Sequence, residues 1–178
     1  MNAGDASGSR ISLPLRLWLF VEIAFGLAAI ASITLFPTET ATNFAWPIKP
    51  DVTAALLGAF YLASAGVFVV AAFVRRWEFV RVMVVPAIIF TFTELIATFL
   101  HWDRFSVGTL PFNVWFASYL LPPPIFAACY VWHQRRAVAI EAARPLPSAL
   151  RLVILVIGAA MTIEALAAFV WPQVLIST

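Results

Sequence analysis

Glu22, Glu94 and Glu164 each sit inside an otherwise apolar stretch, and carboxyl groups in such surroundings are the first places to look for chemistry. Counted at about 1.5 Å per residue, all three fall within roughly 6 Å of the middle of a bilayer. Glu22 lies on the side of the N-terminus, Glu94 and Glu164 slightly beyond the midplane. No arginine or lysine lies at comparable depth. An ionised carboxylate there is costly unless water or a ligand reaches it. Two readings follow: a proton or cation pathway, or protonated acids that hydrogen-bond across helices and fix packing.

Thr91, Glu94, Thr98 and His101 are spaced 3, 4 and 3 residues apart, which puts them on one helix face. Such a polar stripe is expected to face a bundle interior or an aqueous cavity and not lipid. Asp103 and Arg104 follow His101. Together they read either as a polar funnel, with His101 as ligand or proton relay, or as an interfacial cap that anchors a helix end. Pro122, Pro123 and Pro124 stand in the middle of another apolar stretch. Three missing N–H groups in succession are expected to break or sharply bend a helix there, giving a broken helix at a binding site, a hinge, or a static kink. Pro86 reads as a simple kink.

His101 and His133 are the two histidines. The spans place them at opposite faces of the bilayer, roughly 30 Å apart, so no haem held by both within one chain is expected. A site with a single histidine stays open, and the sequence names no cofactor. Cys129 is the one cysteine, which excludes a disulfide within the chain, and no His/Cys cluster suggests a metal. No nucleophile constellation or paired metal motif points to an enzyme.

The elements that position these residues are five apolar runs of bilayer length: 15–36, 52–74, 79–101, 112–132 and 150–171. With 63% hydrophobic and 11% charged residues, the expected fold is all-α, a polytopic bundle of five membrane-spanning helices over 15–178. Residues 1–14 read as a disordered tail. Nine basic residues (Arg10, Arg16, Arg75, Arg76, Arg81, Arg135, Arg136, Arg144 and Arg151) fall in the gaps on one side, against Lys49 and Arg104 on the other. That asymmetry predicts a cytoplasmic N-terminus and an external C-terminus. The bilayer is the expected partner, nucleic acid is not, and the expected location is a cell membrane, most naturally a bacterial inner membrane. Ala29 and Ala31 resemble a signal-peptide cleavage site, but the apolar run continues to Phe36, which suits an uncleaved anchor. Ala137–Ala143 is expected to form a short surface helix. The segment Pro37–Asp51 is expected to lie on the external surface with Trp46 as its anchor.

Small residues in the second run, Ala54 with Gly58 and Ala59 with Ala63, allow helices to approach closely. A faint repeat links the first and fifth runs. Leu15-Arg16-Leu17 opens one and Leu150-Arg151-Leu152 the other; Phe36-Pro37 and Trp171-Pro172 close them at the same separation. The first unit runs on into a second span and the other does not. A second copy or another membrane subunit is therefore expected to cover the fifth helix, with Glu164 as the polar contact.

The segment Phe44-Ala45-Trp46-Pro47-Ile48-Lys49-Pro50, with Thr53-Ala54, Gly58 and Tyr61 after it, resembles a pattern in uncharacterised bacterial multi-pass membrane proteins. The same holds for Leu100-His101-Trp102-Asp103-Arg104-Phe105. The resemblance implies the architecture and no activity. Trp46, Pro47 and Pro50 are also similar to the first loop of the tryptophan-rich sensory (translocator) proteins, whose later helices this chain does not match. The leading expectation for function is a non-enzymatic accessory or structural subunit, or a small interaction module. The alternative is a small transporter or proton- or ion-conducting protein using the intramembrane carboxylates.

Overall fold

The computed structural model describes residues 10–137 and 147–170. Most of the expected tail, most of Ala137–Ala143 and the close of the repeat at Trp171-Pro172 lie outside the described residues. Helix α1 (Leu13–Ile30) starts where Ser12 caps it: Ser12 Oγ accepts from the Leu15 N–H at 3.4 Å, and Pro14 sits in the first turn. A π-turn, Ala31–Leu35, prolongs it. A 3₁₀ turn (Pro37–Glu39) and the short α2 (Thr40–Asn43) lead to α3 (Asp51–Phe73) and then α4 (Trp77–Leu100). A second 3₁₀ turn, Trp102–Arg104, precedes α5 (Leu110–Leu120), α6 (Pro122–Gln134) and α7 (Ser148–Val170). The described elements are all helical, and the helix bounds lie within about two residues of the apolar runs.

Four helical stretches are long and apolar enough to cross a membrane: α1 with its π-turn, α3, α4, and α5 with α6. Their outward faces carry large apolar side chains such as Leu17, Leu56, Phe60, Phe79, Val82 and Phe99, all more than half exposed. A water-soluble protein does not display a continuous apolar surface of this kind. The chain divides between Val138 and Ala139 into two units. The second holds α7, a fifth apolar helix.

Within the first unit α1 packs along α3, while α4 packs on α5 and α6; α3 and α4 make little direct contact despite their short connection. Two apolar clusters hold these helices together. One joins Leu15, Leu19, Ala72, Trp77, Val84 and Phe126 at the end where Arg10, Arg75 and Arg135 gather. The other joins Ile33, Phe44, Ala45, Ala54, Phe112 and Trp115 near the other end. Gly58 is buried at the seam between α3 and the π-turn after α1, and Ala54 is fully buried beside it. Ala59 and Ala63, the other small-residue step, are exposed.

The Pro122–Pro124 break is milder than the sequence suggests. Leu121 keeps helical dihedrals (φ −80°, ψ −39°). The three prolines occupy the first turn of α6, where N–H groups have no intrahelical acceptor in any case. The ladder resumes with the Ile125 N–H donating to Leu121 O at 3.3 Å. The span continues, with a gap in its hydrogen bonds instead of an unwound segment.

Candidate functional site

A half-open cleft of about 700 Å³ lies between the two apolar clusters, lined by α1, α3, α4 and α5. Glu22 reaches it from α1 and Glu94 from α4, so residues distant in sequence share one site. Glu22 is buried at 6% exposure, with the indole N–H of Trp18, one turn earlier on α1, as the donor beside its carboxyl. Glu94 is half-buried. Thr91 lines the cleft one turn before Glu94, its hydroxyl donating to Ala87 O at 2.7 Å.

The same chamber carries an aromatic hydroxyl network. Tyr61 Oη and Tyr119 Oη are 2.9 Å apart, and Trp115 Nε1 donates to Tyr61 Oη at 3.2 Å. Ser118 and Tyr119 are two of the three residues whose carbonyls lose their i+4 donors to Pro122–Pro124, and both line the cleft. Oxygen acceptors therefore collect in a mostly apolar chamber. Among the described residues, no lysine, arginine or histidine lines it.

Phe44, Trp46 and Asn43 close the far end. Thr40 fastens this segment: its Oγ1 accepts from the Ile48 N–H at 2.9 Å while donating back to Ile48 O at 3.4 Å. The Ser106 N–H donates to Ala45 O at 2.8 Å and ties it to the next loop. Trp46 packs edge-on against Trp115 at 5.3 Å and Phe105 at 5.2 Å. Trp46, the expected surface anchor, is half-buried and lines the cleft while it packs on these rings of α5 and the following loop.

No protein-family model, curated protein or solved structure matches this chain. What the site can do is read from its own geometry.

The polar stripe on α4 divides. Thr91 and Glu94 line the cleft, whereas Thr98 is fully buried with its hydroxyl bonded to Glu94 O at 2.7 Å, and His101 is exposed. His101 Nδ1 lies 3.1 Å from Ala97 O on its own helix. Asp103 and Arg104 pair with each other at 3.3 Å, both well exposed. The side chain of Glu164 lies outside the described residues, and Pro86 lines the cleft from α4.

His133 has a structural part that its position in the sequence does not reveal. Its Nε2 accepts from the Ser12 N–H at 3.0 Å, and its Nδ1 faces Cys129 O at 2.7 Å. These partners require the neutral ring with the proton on Nδ1. Both nitrogens are engaged, so neither is left for a haem iron. His133 stacks on Trp77 at the start of α4 and His101 follows its end; the 24 residues between make about 36 Å. Among the described residues, no group of three or more His, Cys, Asp or Glu converges on a metal position.

Tyr61, Trp115, Ser118 and Tyr119 are the site residues that sequence reasoning passes over. A signal was present: Trp115, Ser118 and Tyr119 recur at helical spacing on one face, as do Tyr61 and Ser64, and all five line the cleft.

Proposed function

We propose that this chain is a non-enzymatic integral membrane protein that binds a small, largely apolar molecule carrying a cationic or hydrogen-bond-donating group in this cleft. In the fuller form of the reading, the same carboxyls serve the passage of that molecule, or of a proton, through the bilayer. The observation that carries it is the convergence of Glu22 and Glu94 on one apolar chamber with no basic residue, among the described ones, in its lining. The two carboxyls, the tyrosine hydroxyls and the freed carbonyl positions are all oxygen acceptors that a donor or cation would complement. The limited contact between α3 and α4, together with exposed Phe60 and Phe90 on those helices, supports entry from the lipid side. Of the two functions expected from the sequence, this geometry favours the transporter or conducting protein. The accessory-subunit reading rests on the sequence alone, and copurification with partner subunits at fixed stoichiometry would favour it.

The test uses the full chain in lipid nanodiscs, with tetraphenylphosphonium as the probe and tryptophan fluorescence as the signal. Glu22→Gln with Glu94→Gln is expected to weaken binding at least about tenfold, which corresponds to about 1.4 kcal/mol. Unchanged affinity in the double variant would overturn the reading. Probe or proton flux into liposomes holding only this chain tests passage; flux equal to that of empty liposomes would return the chain to the accessory role.

The same proposal includes five crossings, with α7 as the fifth, a cytoplasmic N-terminus and an external C-terminus in a bacterial inner membrane. The nine-to-two division of basic residues supports it. So does the gathering of Arg10, Arg75 and Arg76 at one end of the bundle, where Ile11 donates to Arg75 O at 3.0 Å. A reporter fused after Thr178 is expected to read as external and one inserted near Ala139 as cytoplasmic. A cytoplasmic C-terminus would defeat the five-span arrangement.

A further inference from the structure

At the end of the first unit away from Trp46, three arginines line a small polar hollow. It has a volume of about 390 Å³ and is lined by Arg10, Ile11, Arg16 and Arg75. The backbone holds these cations together against their mutual repulsion. The Ile11 N–H donates to Arg75 O at 3.0 Å, Arg10 bridges antiparallel to Arg76, and His133 holds the Ser12 N–H. Arg16 stands one turn into α1 from that fastening.

Among the described residues, nothing anionic offsets the charge at Arg10, Arg16 and Arg75. Among the described residues the ion pairs are Lys49 with Asp51, Arg76 with Glu78, and Arg104 with Asp103. None involves Arg10, Arg16 or Arg75, and no carboxylate of the described residues lines the hollow. Arg16 Nε is buried without a hydrogen-bond partner. A buried guanidinium donor calls for an acceptor, and the fork of an arginine matches two oxygens of a phosphate.

We propose that this hollow binds a phosphate oxyanion, and specifically the headgroup of an anionic phospholipid. The choice of source rests on the surroundings. Leu13 and Leu17, on the same stretch of α1, are 67% and 56% exposed and offer apolar surface beside the hollow for acyl chains. The hollow also lies where α1 and α3 end, the level at which headgroups meet a spanning helix. It is separate from the cleft and does not depend on the ligand proposed for it.

The experiment uses the full chain purified in mild detergent, with native mass spectrometry for retained lipid. Affinities are then measured for short-chain phosphatidylglycerol, short-chain phosphatidylcholine and inorganic phosphate. Retention of a phosphatidylglycerol molecule is expected, with at least about tenfold preference over phosphatidylcholine. Arg16→Gln is expected to abolish retention. Arg10→Gln with Arg75→Gln changes only exposed side chains, so it carries the test should Arg16→Gln fail to fold, and it is expected to weaken binding about tenfold. Arg104→Gln, at the other end, is expected to leave retention unchanged. Retention by the Arg10/Arg75 double variant equal to that of the unaltered protein would overturn the site. Binding of inorganic phosphate as tight as that of phosphatidylglycerol would assign the hollow to a free anion and overturn the lipid headgroup.

Discussion

Trp77→Ala is expected to destabilise the protein by about 3–5 kcal/mol, the largest effect of any single truncation in the first unit. Trp77 is fully buried at the start of α4 and belongs to the cluster that holds α1, α3, α4 and α6 together. Its ring stacks on His133 at 4.6 Å and meets Tyr130 edge-on at 5.7 Å, while Nε1 donates to Gln134 Oε1 at 3.4 Å. In a bilayer, apolar side chains gain little from leaving lipid for protein, so this cost comes from lost close contacts and from the void left behind. Through His133 the void also reaches the Ser12 N–H at the start of α1. Trp77→Phe keeps most of the packing and is expected to cost less than half as much. His133→Ala is expected to cost about 1–3 kcal/mol, because it strands a buried N–H. The pair should be coupled by about 0.5–1.5 kcal/mol in a double-mutant cycle. Reversible unfolding in bicelles reads all of these. A loss below about 0.5 kcal/mol for Trp77→Ala would mean that this end of the bundle is held by something else.

The helices were legible because bilayer thickness sets their length, and runs of apolar residues report length directly. The described helices therefore begin and end close to where the composition shifts. Glu22 and Glu94 stood out singly for the same reason: a carboxyl in an oily run is conspicuous. Their meeting in one cleft was not legible, since it depends on which faces of α1 and α4 turn toward each other. Exposed and buried faces are both apolar in these helices, so no periodicity marks the inner side. The face argument holds for Thr91, Glu94 and Thr98, which are buried or half-buried, and ends at His101, which is exposed beyond the end of α4. His133 shows the limit of depth arguments: its depth near a span end does not reveal that it holds the Ser12 N–H. Pro122–Pro124 divides α5 from α6, as three missing N–H groups require. A run of prolines is tolerated at a helix start, and α6 starts there.

Gly58→Leu is expected to cost about 3 kcal/mol or more and to weaken ligand binding in the cleft at the same time. A Cβ built on Gly58 meets Thr34 Oγ1, with Thr34 Cβ and Ile33 Cγ1 next at 3.4 and 3.5 Å. Ile33 is fully buried and belongs to the cluster beneath Phe44 and Trp115, so a large side chain must separate α3 from the π-turn. The second close point of this seam is Gly26, where a Cβ would stand 3.1 Å from Ala65 Cβ. Both glycines therefore set the spacing of α1 and α3, and those helices carry Glu22 and Tyr61 into the cleft. Gly58→Ala is expected to cost about 1 kcal/mol, since Thr34 is exposed and can turn away. Thr34→Ala should restore most of that loss, which a cycle of the two substitutions measures as a favourable coupling. The two readouts separate the causes. Loss of stability with unchanged affinity for the cleft probe would show that the seam holds the fold without setting the site. Loss of both, with rescue of both by Thr34→Ala in the Gly58→Ala background, would show that the close approach of α1 and α3 fixes the distance across which the cleft grips its ligand.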